Sequence, residues 1–114
     1  MKLIKNNDAF KKSNGDKCDV FEYSFDDKEI DLGVAIIKGR YPEQGFCMNL
    51  VSKELIYVID GTGVLYFEDS SIEFSKGDSI LIDNNEKYYW FSEYCKVSMT
   101  CTPAWNKEQY KLIK

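Results

Sequence analysis

A chain of 114 residues, 44% hydrophobic and 30% charged, has the size and balance of one globular domain. Its net charge is −4, and of its 15 basic residues only Arg40 is an arginine, which excludes the concentrated basic footprint that nucleic acid requires. No run approaches the roughly 20 apolar residues of a membrane helix and no signal-peptide core follows Met1, so a cytoplasmic protein with no membrane partner is expected.

Residues 1–19 are polar and mixed, an N-terminal arm with turn signals at Asn6-Asn7-Asp8 and Ser13-Asn14-Gly15-Asp16. Residues 20–114 read as a single domain of short apolar runs broken by turns. Strands are predicted at 20–25, 30–38, 46–51, 55–59, 64–67, 71–74, 79–82, 87–91 and 96–102. Asp60-Gly61-Thr62-Gly63 reads as a hairpin turn. Asp83–Glu86 is a second turn, with Asn85 in a left-handed position. After Pro103, Asn106 reads as an N-cap with Gln109 as its capping-box partner, opening a short helix over Lys107–Ile113.

The strands are too closely spaced for crossover helices, and 15% of the residues are aromatic. An antiparallel sandwich or barrel follows. Alternation sends Tyr88 and Trp90 to one face and Tyr89 and Phe91 to the other. It separates Cys95, Val97, Met99 and Cys101 from Lys96, Ser98 and Thr100. Leu55, Tyr57 and Ile59 lie opposite Glu54. Strands apolar on both faces need cover on both. The arm and the terminal helix are expected to cover one face and a second copy of the chain the other, making a homodimer.

The chain has no histidine. Its four cysteines, Cys18, Cys47, Cys95 and Cys101, form no CxxC pair and no zinc-ligand spacing. They read as reduced, buried, small hydrophobes. A reactive thiolate would need a cationic neighbour, and no histidine exists to serve.

Two segments carry a family likeness. Glu54 is followed after six residues by Gly61, and Gly77 opens a second run through Ile82. Together they resemble the cupin family over the stretch from Gly39 to Trp105. Its first motif is Gly, five residues, His-x-His, three or four residues, Glu, six residues, Gly. Its second is Gly, five residues, Pro-x-Gly, two residues, His, three residues, Asn. In this register Cys47 and Asn49 occupy the His-x-His positions. Asp83 and Asn85 replace the Pro and Gly, Tyr88 the second-motif His, and Ser92 the Asn. Of the four metal positions only Glu54 keeps its residue. The resemblance implies an all-β double-stranded β-helix, a jelly-roll barrel with the short C-terminal helix added.

It also implies that Cys47, Asn49, Glu54 and Tyr88 face the barrel interior. That set mixes hard oxygen donors with a soft thiol and a protonated phenol, a poor metal cage, so neither metal nor cofactor is expected. A small polar or anionic ligand is expected instead, among Arg40, Cys47, Asn49, Glu54, Tyr88 and Trp90. Arg40, in a loop read over Gly39–Gly45, would clamp an anion bidentately or hold Glu54. An inward Glu54 would have a raised pKa, as a general acid or base requires. Two alternatives stand beside the binding reading. One is a metal-independent isomerase or lyase using Glu54 and Tyr88 as base and acid. The other is a structural or dimerisation module whose barrel is filled by its own aromatics.

Overall fold

The computed structural model describes residues 1–114. Nine strands make up the molecule: β1 (Phe10–Ser13), β2 (Cys18–Tyr23), β3 (Asp31–Tyr41), β4 (Phe46–Asn49), β5 (Lys53–Phe67), β6 (Ser71–Ser75), β7 (Ser79–Ile82), β8 (Tyr88–Thr102) and β9 (Tyr110–Ile113). All pairings are antiparallel, in a curled all-β jelly roll. β8 is its spine, with β3 and β4 on one edge and β5 on the other. β5 in turn carries β7 and β6 on its far edge, and β1–β2 extend the sheet beyond β3.

β5 and β8 have 15 residues each. An extended strand of that length would run about 50 Å, more than the 41 Å long axis of the molecule. They therefore bend together. The register slips between Val58 and Asp60 and again between Thr62 and Val64. Gly61 sits at the corner with φ of 82°, where a Cβ would run into the backbone of Tyr94 and Cys95. This corrects the hairpin read at Asp60–Gly63: the same residues supply the positive φ of a bulge within one strand. Likewise, the two strands expected at 87–91 and 96–102 are the single bent strand β8.

The C-terminus also differs. Asn106 caps as expected, its side chain accepting from the Gln109 amide, but only a 3-10 turn over Lys107–Gln109 follows. Tyr110–Ile113 then becomes β9 and pairs with β4 from Phe46↔Ile113 to Asn49↔Tyr110. Seven residues are too few for a self-sustaining helix, and a helix there would leave the edge of β4 unpaired. Gln109 pins the turn: its Oε1 accepts from Val51 and Ser52 amides at 3.0 and 2.6 Å, and its Nε2 donates to Ser52 Oγ at 2.6 Å. The second half of the expected N-terminal arm is a sheet edge, since β1 pairs with β2.

Alternation builds the interior in rows across the strands. Cys18, Ile37 and Cys95 form one row, and Val20, Ala35, Val97 and Val58 the next. A third contains Asp31, Cys101, Glu54 and Ile82. The opposite face of β5 and β7 is uncovered, with Leu55 and Tyr57 each 51% and Leu81 58% exposed. No helix is long and apolar enough to cross a membrane.

The corner separates two kinds of glycine. Gly61→Ala should cost about 2 kcal/mol or more, through strained φ plus backbone collision. Gly77 also has positive φ, 93°, but open space around it, so Gly77→Ala should cost only about 1 kcal/mol. Urea unfolding midpoints check the order.

Candidate functional site

The barrel is not filled by its aromatics, as one reading of the sequence had it. A cavity of about 560 Å³ opens inside, walled largely by apolar side chains that include Tyr41, Trp90, Trp105 and Tyr110. That volume lies within the usual range for small-molecule sites.

Glu54 is the most deeply buried carboxyl group lining this space. It is 6% exposed. Its Oε1 accepts from Tyr88 OH and from Asn49 Nδ2, both at 2.7 Å. Oε2 has no partner in the protein, yet it is not sealed from solvent, so it opens on the cavity. Asn49 is itself fixed: its Oδ1 accepts from Trp105 Nε1 at 3.0 Å. An indole can only donate, so the amide must turn its NH₂ to Glu54.

Burial raises the pKa of Glu54, and the Asp31 charge raises it further, against the lowering effect of the two donors. Burial likewise drives the Tyr88 phenol well above its ordinary value, with the Glu54 charge adding to it. Tyr88 is therefore a fixed donor. When Glu54 is neutral, the donors on Oε1 leave its proton on Oε2, facing the cavity. When ionised, it presents a lone pair there. Either form is useful for hydrogen bonding or proton transfer.

Cys47 lies beside this group in the cavity wall. Its thiol donates to the Tyr88 carbonyl at 3.4 Å, and burial pushes it up to about 12, so it is no nucleophile at neutral pH. Trp90 is buried in the wall, with Phe74 packed edge-on at 5.6 Å. The structure thus brings together Cys47, Asn49, Glu54, Tyr88 and Trp90. Arg40 is not among them. It stands on β3, where Tyr41 faces inward opposite Trp90 and Arg40 faces outward. Its Nη2 donates to the Gly45 carbonyl at 2.7 Å, and its guanidinium lies 3.8 Å over the Tyr89 ring. Taken as a loop residue it could reach the cavity; as a strand residue it is sent outside by alternation.

Sequence reading missed Asp31, Cys101, Trp105 and Tyr110. Asp31 shares the row of Glu54, with Cys101 between them, and accepts from the Trp105 amide at 3.0 Å. Burial raises its pKa too. The signal was present: the inward alternation Ile37, Ala35, Gly33 continues to Asp31.

A cupin barrel ordinarily offers its interior to a metal, and these residues do not fit one. Glu54 Oε1 is already taken by two donors, the thiol and phenol hold their protons, and no three His, Cys, Asp or Glu side chains converge.

A curled antiparallel barrel of this topology is a cupin-type scaffold, and solved structures bear out the fold. A variant of Streptomyces Pac13 with uridine aligns at a TM-score of 0.88 and 18% identity, covering 100% of this chain and 92% of that one. Pac13 is described as a nucleoside dehydratase. An RmlC-like cupin from Shewanella frigidimarina aligns at 0.75 and 14% identity over 91% and 92% of the two chains. KdgF from Halomonas sp. aligns at 0.75 and 10% identity over 91% and 96%. The sequence matches no protein-family model and no curated relative. The fold of this chain is the cupin fold.

Glu54 should reveal itself in the pH dependence of stability. A raised folded pKa means its favourable contribution is complete at acid pH and is lost as pH rises from about 4.5, the ordinary carboxylate value, through the folded value. Relative to Glu54→Gln, the wild-type protein should lose stability over that window by at most ~1.4 kcal/mol per pH unit. Denaturation of both proteins from pH 4 to 9 tests this; a constant difference would mean that Glu54 is not desolvated.

Proposed function

We propose that the barrel cavity takes up a planar and polar metabolite of nucleoside size, the part beside Glu54 being uncharged, without metal, and that Glu54 is the group that bonds to it. The observation that carries this reading is the carboxyl of Glu54, held through Oε1 by Tyr88 and Asn49 while Oε2 faces a 560 Å³ aromatic-walled space. Aromatic walls suit a planar ring. Buried Glu54 and half-buried Asp31, with no cation beside them, disfavour an anionic group there. The likeness to uridine-bound Pac13 supports the size and class of ligand.

A second reading, metal-independent elimination, is favoured by Asp31. The proton of Tyr88 is committed to Glu54, so Asp31 suits the acid's role better than Tyr88 does. Glu54 would take a proton from carbon next to a carbonyl. The bond from the neighbouring carbon to its hydroxyl would break, and Asp31 would protonate that oxygen to release water. A proton then returns from Glu54 to Asp31 through solvent. The nucleoside dehydratase activity of Pac13 makes this chemistry reasonable for the scaffold.

Uridine is the first probe. It should quench the fluorescence of Trp90 and Trp105 saturably and raise the melting temperature. Glu54→Gln should weaken binding about tenfold, the equivalent of one hydrogen bond to a charged group. Uridine binding that is indifferent to Glu54→Gln would remove Glu54 from the site.

The exposed Leu55, Tyr57 and Leu81 face is proposed as the contact between two copies of the chain. Light scattering should give a dimer mass, and Leu81→Glu a monomer; a wild-type monomer would refute it.

A further inference from the structure

We infer that the mouth of the cavity is an anion subsite formed by Lys12 and Lys107, so that the ligand carries a phosphate or similar anionic group pointing outward. The inference rests on the nucleoside-sized reading above and names the class of ligand more narrowly.

The charges along the cavity wall are sorted by depth. Glu54 and Asp31 lie on one inward row, flanking Cys101. Both are buried enough for their pKa values to rise. A ligand anion placed there would meet like charge or a desolvated acid. The only cations lining the cavity are Lys12 and Lys107, and both are exposed at its rim.

Lys12 points over the cavity because of register. It pairs with Val20 on β2, and Val20 continues the inward row of Ala35 and Val97. Its neighbour Lys11 faces the other way and lies 3.9 Å from Asp19. Lys12 Nζ instead lies 5.8 Å from the centroid of Trp105, the ring that holds Asn49. Lys107 opens the turn just after Trp105. Neither ammonium has a carboxylate within ion-pair distance; the ion pairs of the protein use Lys11, Lys53 and Lys87. Glu22 and Asp31, both half-buried, are the acids between Glu54 and the rim; Glu22 lies two residues along β2 from Val20 on the same inward face. The two exposed lysines are thus the outermost charges of the cavity, and both have their donors free. The anion clamp that sequence reading assigned to Arg40 is supplied here from β1 and the C-terminal turn.

Titration of tryptophan fluorescence with uridine, uridine 5′-monophosphate and inorganic phosphate tests the subsite. The monophosphate should bind about tenfold more tightly than uridine at low salt, as two part-exposed ion pairs allow. Lys12→Ala with Lys107→Ala should bring that ratio to about one, as should 0.5 M salt. Lys11→Ala, on the outward face, should leave it unchanged. Equal or weaker binding of the monophosphate, with uridine still bound, overturns the subsite and spares the nucleoside reading. Phosphate binding that disappears in the double variant, with uridine silent, supports the subsite and sinks that reading. Silence of all three probes overturns both.

Discussion

The pairing of β5 with β8 is the constraint on which the molecule depends. Both strands are longer than the body they must fit within, so they fold over at a shared corner where Gly61 tolerates the required φ and the close approach of Tyr94. The bend turns a sheet into a barrel. It also fixes which residues look inward on either side. Before the corner of β5 the inward positions are Glu54, Ile56 and Val58. Across the corner, β8 contributes Tyr88 and Trp90. Tyr88 and Glu54 belong to distant parts of the chain, yet the curl brings them within a hydrogen bond.

Period-two alternation was the part of the fold legible in the sequence. It put Tyr88 and Trp90 on one face, Leu55 and Tyr57 opposite Glu54, and Cys95, Val97 and Cys101 together, and the structure turns the first and last of these sets inward. It could not separate a turn from a bulge, because both draw on glycine and aspartate for the same backbone freedom. It could not foresee β9, whose strand state is decided by the open edge of β4 and not by its own four residues. The motif register placed Cys47, Asn49, Glu54 and Tyr88 together. Arg40 was misplaced because it was read as a loop residue. Trp105 was invisible as a site residue, since its role depends on a contact with Asn49, 56 positions away in sequence.

The site illustrates what remains when a barrel of this type has no imidazole. A metal centre needs several ionised or lone-pair donors aimed at one point. Here the donors are aimed at each other. Trp105 donates to Asn49, and Asn49 and Tyr88 donate to one oxygen of Glu54. The network leaves a single unpartnered carboxyl oxygen on an apolar cavity. Such a group changes between acid and base with one proton. Its pKa reflects the balance between lost water and the two donors.

The four cysteines carry a separate consequence. All are buried, and burial raises the pKa of each. While the barrel is closed, burial keeps these thiols protonated and so poor nucleophiles, even Cys18, Cys47 and Cys101 in the cavity wall. Fast modification must wait for the strands to part and the thiols to meet water. Because Cys18 lies on β2, Cys47 on β4, and Cys95 and Cys101 on either end of the second half of β8, their separate labelling rates are a built-in clock for which seam of the barrel breathes first.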